Sequence, residues 1–188
     1  MVEIKKLKEK LKKTKNFRLK HTQAVEETAV KIAKRYPVEI DKVKIASLLH
    51  DFARNYEDEK LLKMVEENNI EVDDLEKDIP ALLHSPVGAY LAEHKFGIKD
   101  EDILNAIRFH TIGRPGMSRL EKIIFVADVI EPGRNFPGVD LIREKIDKDL
   151  DEAVILVCDF TIKYNIDRKR VIHPNTLYTR NSLLKGAK

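Results

Sequence analysis

"SLLHDFAR", residues 47–54, sets a histidine and an aspartate side by side at the end of an apolar run and follows them with an arginine one turn later. Upstream of this pair, Val43, Ala46, Ser47 and His50 recur at spacings of three, one and three, which places them on one face of a helix predicted over 39–52. His50 therefore points inward, and the small side chains beneath it leave room for something else. A polar pair at that position either closes a helix end through hydrogen bonds or supplies ligands to an ion inside a helical core.

The rest of the chain decides the context. Apolar residues recur at helical spacing nearly throughout, and no alternating run is bounded by hairpin turns, so the fold is all-α. A charged helix over 3–13 carries Ile4, Leu7 and Leu11 on one side, and Asn16 reads as a break; residues 1–16 are assigned to an N-terminal extension and 17–188 to the main domain. A helix over 17–36 stops before Pro37, with His21, Val25, Thr28 and Ile32 as its inward stripe. A polar helix over 57–68 precedes the irregular stretch "VDDLEKDIP". Ser85 and Pro86 open the next helix and Gly97 closes it, which leaves His84 just ahead of it. Ile103, Ile107 and His110 share a face of the segment 100–110, and "TIGRPGMS" ends it. Ser118 and Glu121 stand in capping-box positions before "IIFVADVI", where Ile124 and Asp128 lie one turn apart. Helices over 139–164, with a break near 150, and over 174–185 complete the chain.

Composition excludes several classes. With 43% hydrophobic and 36% charged residues among 188, the chain is globular and long enough to bury roughly 70% of its unfolded surface. A net charge of +3 against 35 basic side chains argues against nucleic acid or an anionic membrane as partner. The lone Cys158 lies in the apolar run "AVILVC" and reads as a buried thiol without chemistry. No leader-like start and no apolar run of bilayer length is seen, so a cytoplasmic location is expected.

His21, His50, Asp51, His84, His110 and Asp128 each fall on an inward face or at a helix end. One such residue is ordinarily a hydrogen-bonded core residue; burying all six without compensation would cost several kcal/mol, which divalent metal offsets. Imidazole and carboxylate without thiolate favour a transition metal, iron or manganese by preference. Six ligands exceed the needs of one open ion, so two ions about 3.5 to 4 Å apart are expected. Asp51 is the expected bridge between them.

The order His21, His50-Asp51, Asp128 resembles the H…HD…D signature of the HD-domain metal-dependent phosphohydrolases. "LKHTQAVEETAVKIAKRY", "LLHSPVGAYLAEHKFGI" and "NAIRFHTIGRPGMSRLEKIIFVADVIEPGRNFPGVD" are similar to bacterial YqeK-type HD proteins, over most of residues 17–184. The resemblance implies an HD-domain helical bundle with a metal site in its core and a two-iron centre on those six ligands. It also implies symmetrical hydrolysis of diadenosine tetraphosphate, by attack of a metal-bridging hydroxide, giving ADP as the product. In this reading Asp51 and Arg54 are catalytic, and Arg18, Arg54, Arg114 and Arg134, each close to a ligand in the chain, bind the phosphates. Tyr178, Arg180 and Asn181 are further candidates to reach the nucleotide from the last helix. His94, among polar neighbours, is expected to be solvated, and His173, ahead of Pro174, to cap or pack. The competing expectations are an HD-type nucleotide sensor without useful turnover and a phosphohydrolase for another nucleotide. The sequence leaves the oligomeric state open, with a homodimer as one option.

Overall fold

Helix follows helix in the computed structural model, which describes residues 3–14 and 18–186 and contains no strand among them. In chain order the helices are α1 (Ile4–Lys12), α2 (Leu19–Ala33), α3 (Ile40–Leu49), α4 (Asp58–Glu67), α5 (Asp74–Asp78), α6 (His84–Phe96), α7 (Glu101–Phe109), α8 (Arg119–Ile130), α9 (Val139–Ile146), α10 (Leu150–Asp167) and α11 (Pro174–Gly186). A 3₁₀ turn, Pro80–Leu82, precedes α6. The break expected at Asn16 lies outside the described residues.

Local chemistry sets the boundaries. The Ser118 hydroxyl accepts from the Glu121 N–H and the Glu121 carboxylate accepts from the Ser118 N–H, closing a capping box that starts α8. Asp149 caps α10 by accepting from the N–H groups of Asp151 and Glu152, so the break near 150 separates two helices. Gly97, at φ 73°, supplies the left-handed residue that ends α6. The stretch "VDDLEKDIP" departs from the irregular conformation expected of it. Asp73 and Glu76 form a second capping box and hold the five residues of α5 in a helix too short to show apolar periodicity.

α3 sits in the middle of the bundle, touching α1, α2, α6, α7 and α8. Its Val43, Ala46, Leu48 and Leu49 are fully enclosed, and α8 adds Leu120, Ile123, Ile124 and Phe125 to the same core. α1 belongs to that core as well: Leu7 and Leu11 are buried in it, and Lys8 pairs with Glu26 of α2 at 2.8 Å. Cys158 is fully buried, and burial pushes its thiol up to about 12, where it is inert. No helix among the described residues is long and apolar enough to cross a membrane.

Candidate metal centre

Helix ends deliver the six side chains to one place. His50 is the C-cap of α3, His110 the C-cap of α7, and Asp128 stands in the last turn of α8, so three partially negative helix termini converge where cations would be held. His84 is the first residue of α6, one position inside the helix it was expected to precede, and His21 lies in the first turn of α2. His50, Asp51, His84 and His110 are buried.

Asp51 is the hub. Its Oδ2 lies 3.4 Å from His21 Nε2 and 3.6 Å from His50 Nε2, and its Oδ1 lies 3.5 Å from His84 Nε2 and 3.6 Å from His110 Nε2. Asp128 Oδ1 stands 3.1 Å from His21 Nε2 and 4.0 Å from His50 Nε2. Ligand atoms of His21, His50 and Asp51, of His50, His110 and Asp128, and of Asp51, His84 and His110 come within 4.8 Å of one another, a spacing suited to holding metal.

The donor set fits divalent metal on a direct count of protons. His50, His84 and His110 each donate Nδ1–H to the carbonyl three residues earlier, on Ser47, Ala81 and Ile107, at 2.7, 2.6 and 2.8 Å. A neutral ring whose Nδ1 carries the proton offers a bare lone pair at Nε2. His84 Nε2 and His110 Nε2 face each other at 3.2 Å, and His50 Nε2 is buried with no hydrogen-bond partner. His21 Nε2 has no hydrogen bond aligned on either neighbouring carboxylate. Lone pairs turned on one another beside two carboxylates are costly unless cations lie among them.

The protonation states of His50, His84 and the two carboxylates agree with this. Burial, with His110 second, pushes His84 down to about 3, and burial likewise lowers His50, so both rings are neutral near pH 7. Burial alone would raise Asp51 and Asp128. The imidazoles around Asp51, and His21, His50 and Arg134 around Asp128, outweigh it and hold both carboxyls far below the usual range. For His21 burial is again opposed: contact with Asp128 and Asp51 raises the ring to about 9.

Above the centre opens a cavity of about 580 Å³ lined by Arg18, Arg54, Arg134 and Asn55 beside the ligands. Arg18 pairs with Asp51 Oδ2, Arg134 donates from Nη2 to Asp128 Oδ1 at 2.7 Å, and the exposed Arg54 donates to the Ala81 carbonyl at 3.2 Å. Arg114 is placed elsewhere. Its guanidinium is bound to the buried Glu121 carboxylate, from Nε and Nη2 at 2.8 Å, and it is not among the residues lining this cavity. From α11, Tyr178 is exposed and Arg180 pairs with Asp159, so neither reaches the cavity. His94 stacks on Tyr90 at the surface, and His173 is pinned at 2.9 Å to Asp73 at the start of α5.

Two residues escaped the sequence reading. Thr111 Oγ1 lies 3.3 Å from both His84 Nε2 and His110 Nε2. Glu131, buried, meets His21 Nδ1 at 3.3 Å, and its other oxygen accepts from the Gly133 N–H at 2.5 Å. Arg143 fixes this corner by donating to the carbonyls of Ile130, Glu131 and Arg134. The available signal was spacing, since Glu131 follows Asp128 by three residues and Thr111 follows His110 directly.

Helix termini bring imidazoles and carboxylates together beneath an arginine-lined cavity, a donor set that fits divalent metal in an all-helical protein. The HD domain family model matches residues 18–133, and the chain belongs to that family. Relatives named symmetrical bis(5'-nucleosyl)-tetraphosphatase are 41% identical in Bacillus subtilis (strain 168), over 89% of both chains, and 38% identical in Staphylococcus aureus (strain NCTC 8325 / PS 47), over 85% of this chain and 83% of that one. A crystal structure described as a predicted HD superfamily hydrolase involved in NAD metabolism, from Clostridium acetobutylicum, is 42% identical, covers 99% of both chains and superposes with a TM-score of 0.92.

Glu131 makes a distinct prediction. It is the one carboxylate on the outer nitrogen of a candidate ligand histidine among the described residues. Glu131→Ala should weaken metal binding by roughly 10–100-fold, as loss of such outer partners does. Competition against a chelating dye measures it, and an unchanged affinity would remove Glu131 from the centre.

Proposed function

We propose that this chain hydrolyses diadenosine tetraphosphate symmetrically into two molecules of ADP, as a metal-dependent HD-domain enzyme of the cytoplasm. The observation that carries the reading is the division of Asp51: one oxygen faces His21 and His50 and the other faces His84 and His110, beneath a cavity that presents three arginines. Relatives with the matching name at 38–43% identity support the substrate. No observation favours a sensor without turnover.

His21, His50, His84, His110, Asp51 and Asp128 would hold two divalent ions, with iron preferred for a thiolate-free set of imidazoles and carboxylates. Such ions, when bound, supply Lewis acidity to the phosphoanhydride oxygens and lower the pKa of a water. The chain's own contribution begins with protonation: near pH 7 His50 and His84 stay neutral and Asp51 and Asp128 stay ionised, whereas His21, raised to about 9, has to give up its proton for an ion to bind at Nε2. Arg18, Arg54 and Arg134 line the cavity wall where polyphosphate oxygens would lie, and their fixed charge offsets the repulsion that otherwise keeps a nucleophile from an anionic chain. ADP departs as a stable anion, so no side chain has to protonate it. The bundle seals the rear of the site behind His50, which leaves the cavity mouth as the route for substrate.

Product analysis tests the reading. Metal-loaded protein given diadenosine tetraphosphate should release ADP alone. Release of AMP with ATP would overturn symmetrical cleavage, and no turnover would overturn the enzyme. Elemental analysis of protein purified without air separates iron from manganese.

A further inference from the structure

Leu82 and Thr111 line two cavities. One is the cavity over the metal centre; the other, of about 470 Å³, is framed by the C-terminal part of α10, the α10–α11 connection and the start of α11.

Its chemistry is consistent from wall to wall. Ile79, Ile112 and Ile172 give it apolar surface, Thr161 and Asn165 give it polar edges, and Lys169 and Arg170 stand exposed at its margin. No carboxylate is among its lining residues. The Asn165 amide donates to the Thr161 carbonyl at 2.8 Å, which orients its side-chain oxygen as an acceptor for an N–H of a ligand. Apolar faces with a few oriented polar atoms are how small-molecule sites hold a flat heterocycle, and the volume falls within the usual range of about 300–1,000 Å³.

The walls are built rather than incidental. α10 ends in a Schellman motif: Lys169 adopts φ 50°, its N–H reaches the Ile166 carbonyl at 3.0 Å, and the Arg170 N–H reaches the Asn165 carbonyl at 2.9 Å. That left-handed turn sends Arg170, Val171 and Ile172 back along the cavity. Thr176 then donates to the Ile112 carbonyl at 3.2 Å, tying α11 to the wall that carries Thr111 and Ile112.

We propose that this second cavity is a nucleoside subsite: it holds the base and ribose of one half of a dinucleoside polyphosphate, whose phosphates pass over Leu82 and Thr111 to the arginines of the metal centre. The inference rests on the hydrolase reading for its ligand and on the shared lining residues for its location. Because the ligand enters with anionic phosphates attached, a carboxylate-free cavity with Lys169 and Arg170 at its margin suits it electrostatically.

Calorimetric titration of the metal-loaded protein with ADP and, separately, with inorganic pyrophosphate tests it, because pyrophosphate presents the phosphate chemistry without a nucleoside. Ile172→Trp fills the cavity with an indole, and Asn165→Ala removes the oriented acceptor. Each should weaken ADP about 10-fold, the loss of one good contact, while pyrophosphate affinity and metal content stay at the wild-type level. Unaltered ADP affinity in both variants would overturn the subsite, and so would an equal loss for ADP and pyrophosphate, which places the disturbance at the metal centre. If Ile172→Trp does not fold, Asn165→Ala alone decides between these outcomes. The hydrolase reading stands or falls separately, on whether the wild-type protein releases ADP from diadenosine tetraphosphate.

Discussion

Asp51→Asn is expected to lose bound metal and turnover together. Each carboxylate oxygen of Asp51 lies 3.4–3.6 Å from two imidazole nitrogens, and the amide would replace one of those oxygens with N–H donors directed at nitrogen lone pairs. Such a group hydrogen-bonds to the imidazoles and so occupies the lone pairs that an ion needs. Losing an outer partner of a metal ligand typically costs roughly 10–100-fold, and a ligand shared between both groups of imidazoles should cost more than that. The substitution conserves volume, so the fold should survive and the two losses can be read on folded protein. Metal content by elemental analysis and ADP release are the measurements. A variant with full metal content, or with turnover within about ten-fold of wild type, would show that Asp51 is not the hub.

The second large effect is on stability. Ions bound only to the folded chain stabilise it by about 4 kcal/mol when free metal stands at about 1,000 times the dissociation constant. At roughly 2–4 °C per kcal/mol for chains of this size, chelation should lower the melting temperature by roughly 8–16 °C. The chelated protein should also show opposing pH limbs. His21, raised to about 9 from 6.5, contributes stability that is fully present below pH 6.5 and is lost as pH rises through about 9. His84, lowered to about 3, stays neutral in the fold while the unfolded chain takes up a proton, so stability is lost as pH falls below 6.5. The urea midpoint of chelated protein should therefore peak near pH 6.5. A melting temperature indifferent to chelation would leave the imidazole cluster without ions to explain it.

The bundle is legible in the sequence where helices are long and periodic. The inward stripes of α2, α3 and α7 place His21, His50 and His110 together because each stripe also carries the apolar residues that bury it. The sequence conceals α5, whose five residues hold one turn and a half and whose only sign is Asp73 with Glu76. Arg114 shows a different limit. Nearness in the chain to His110 pointed it at phosphate, yet a long side chain goes to whichever buried charge is within reach, and the Glu121 carboxylate of the α8 cap is closer. Glu131 was hidden by its setting, because the Pro-Gly that follows marks it as a helix stop and draws attention from the face it shares with Asp128.

The way the rings are aimed has a consequence for how the protein tolerates change. Three imidazoles take their orientation from main-chain oxygens, which any amino acid provides, so drift at Ser47, Ala81 or Ile107 leaves the aim of those rings intact as long as the helix ends hold. The fourth takes its orientation from a single side chain that one substitution removes. One flank of the centre is thus insured by the polymer itself, while the His21 flank is mutationally brittle, and inactivating variants that still fold should accumulate there.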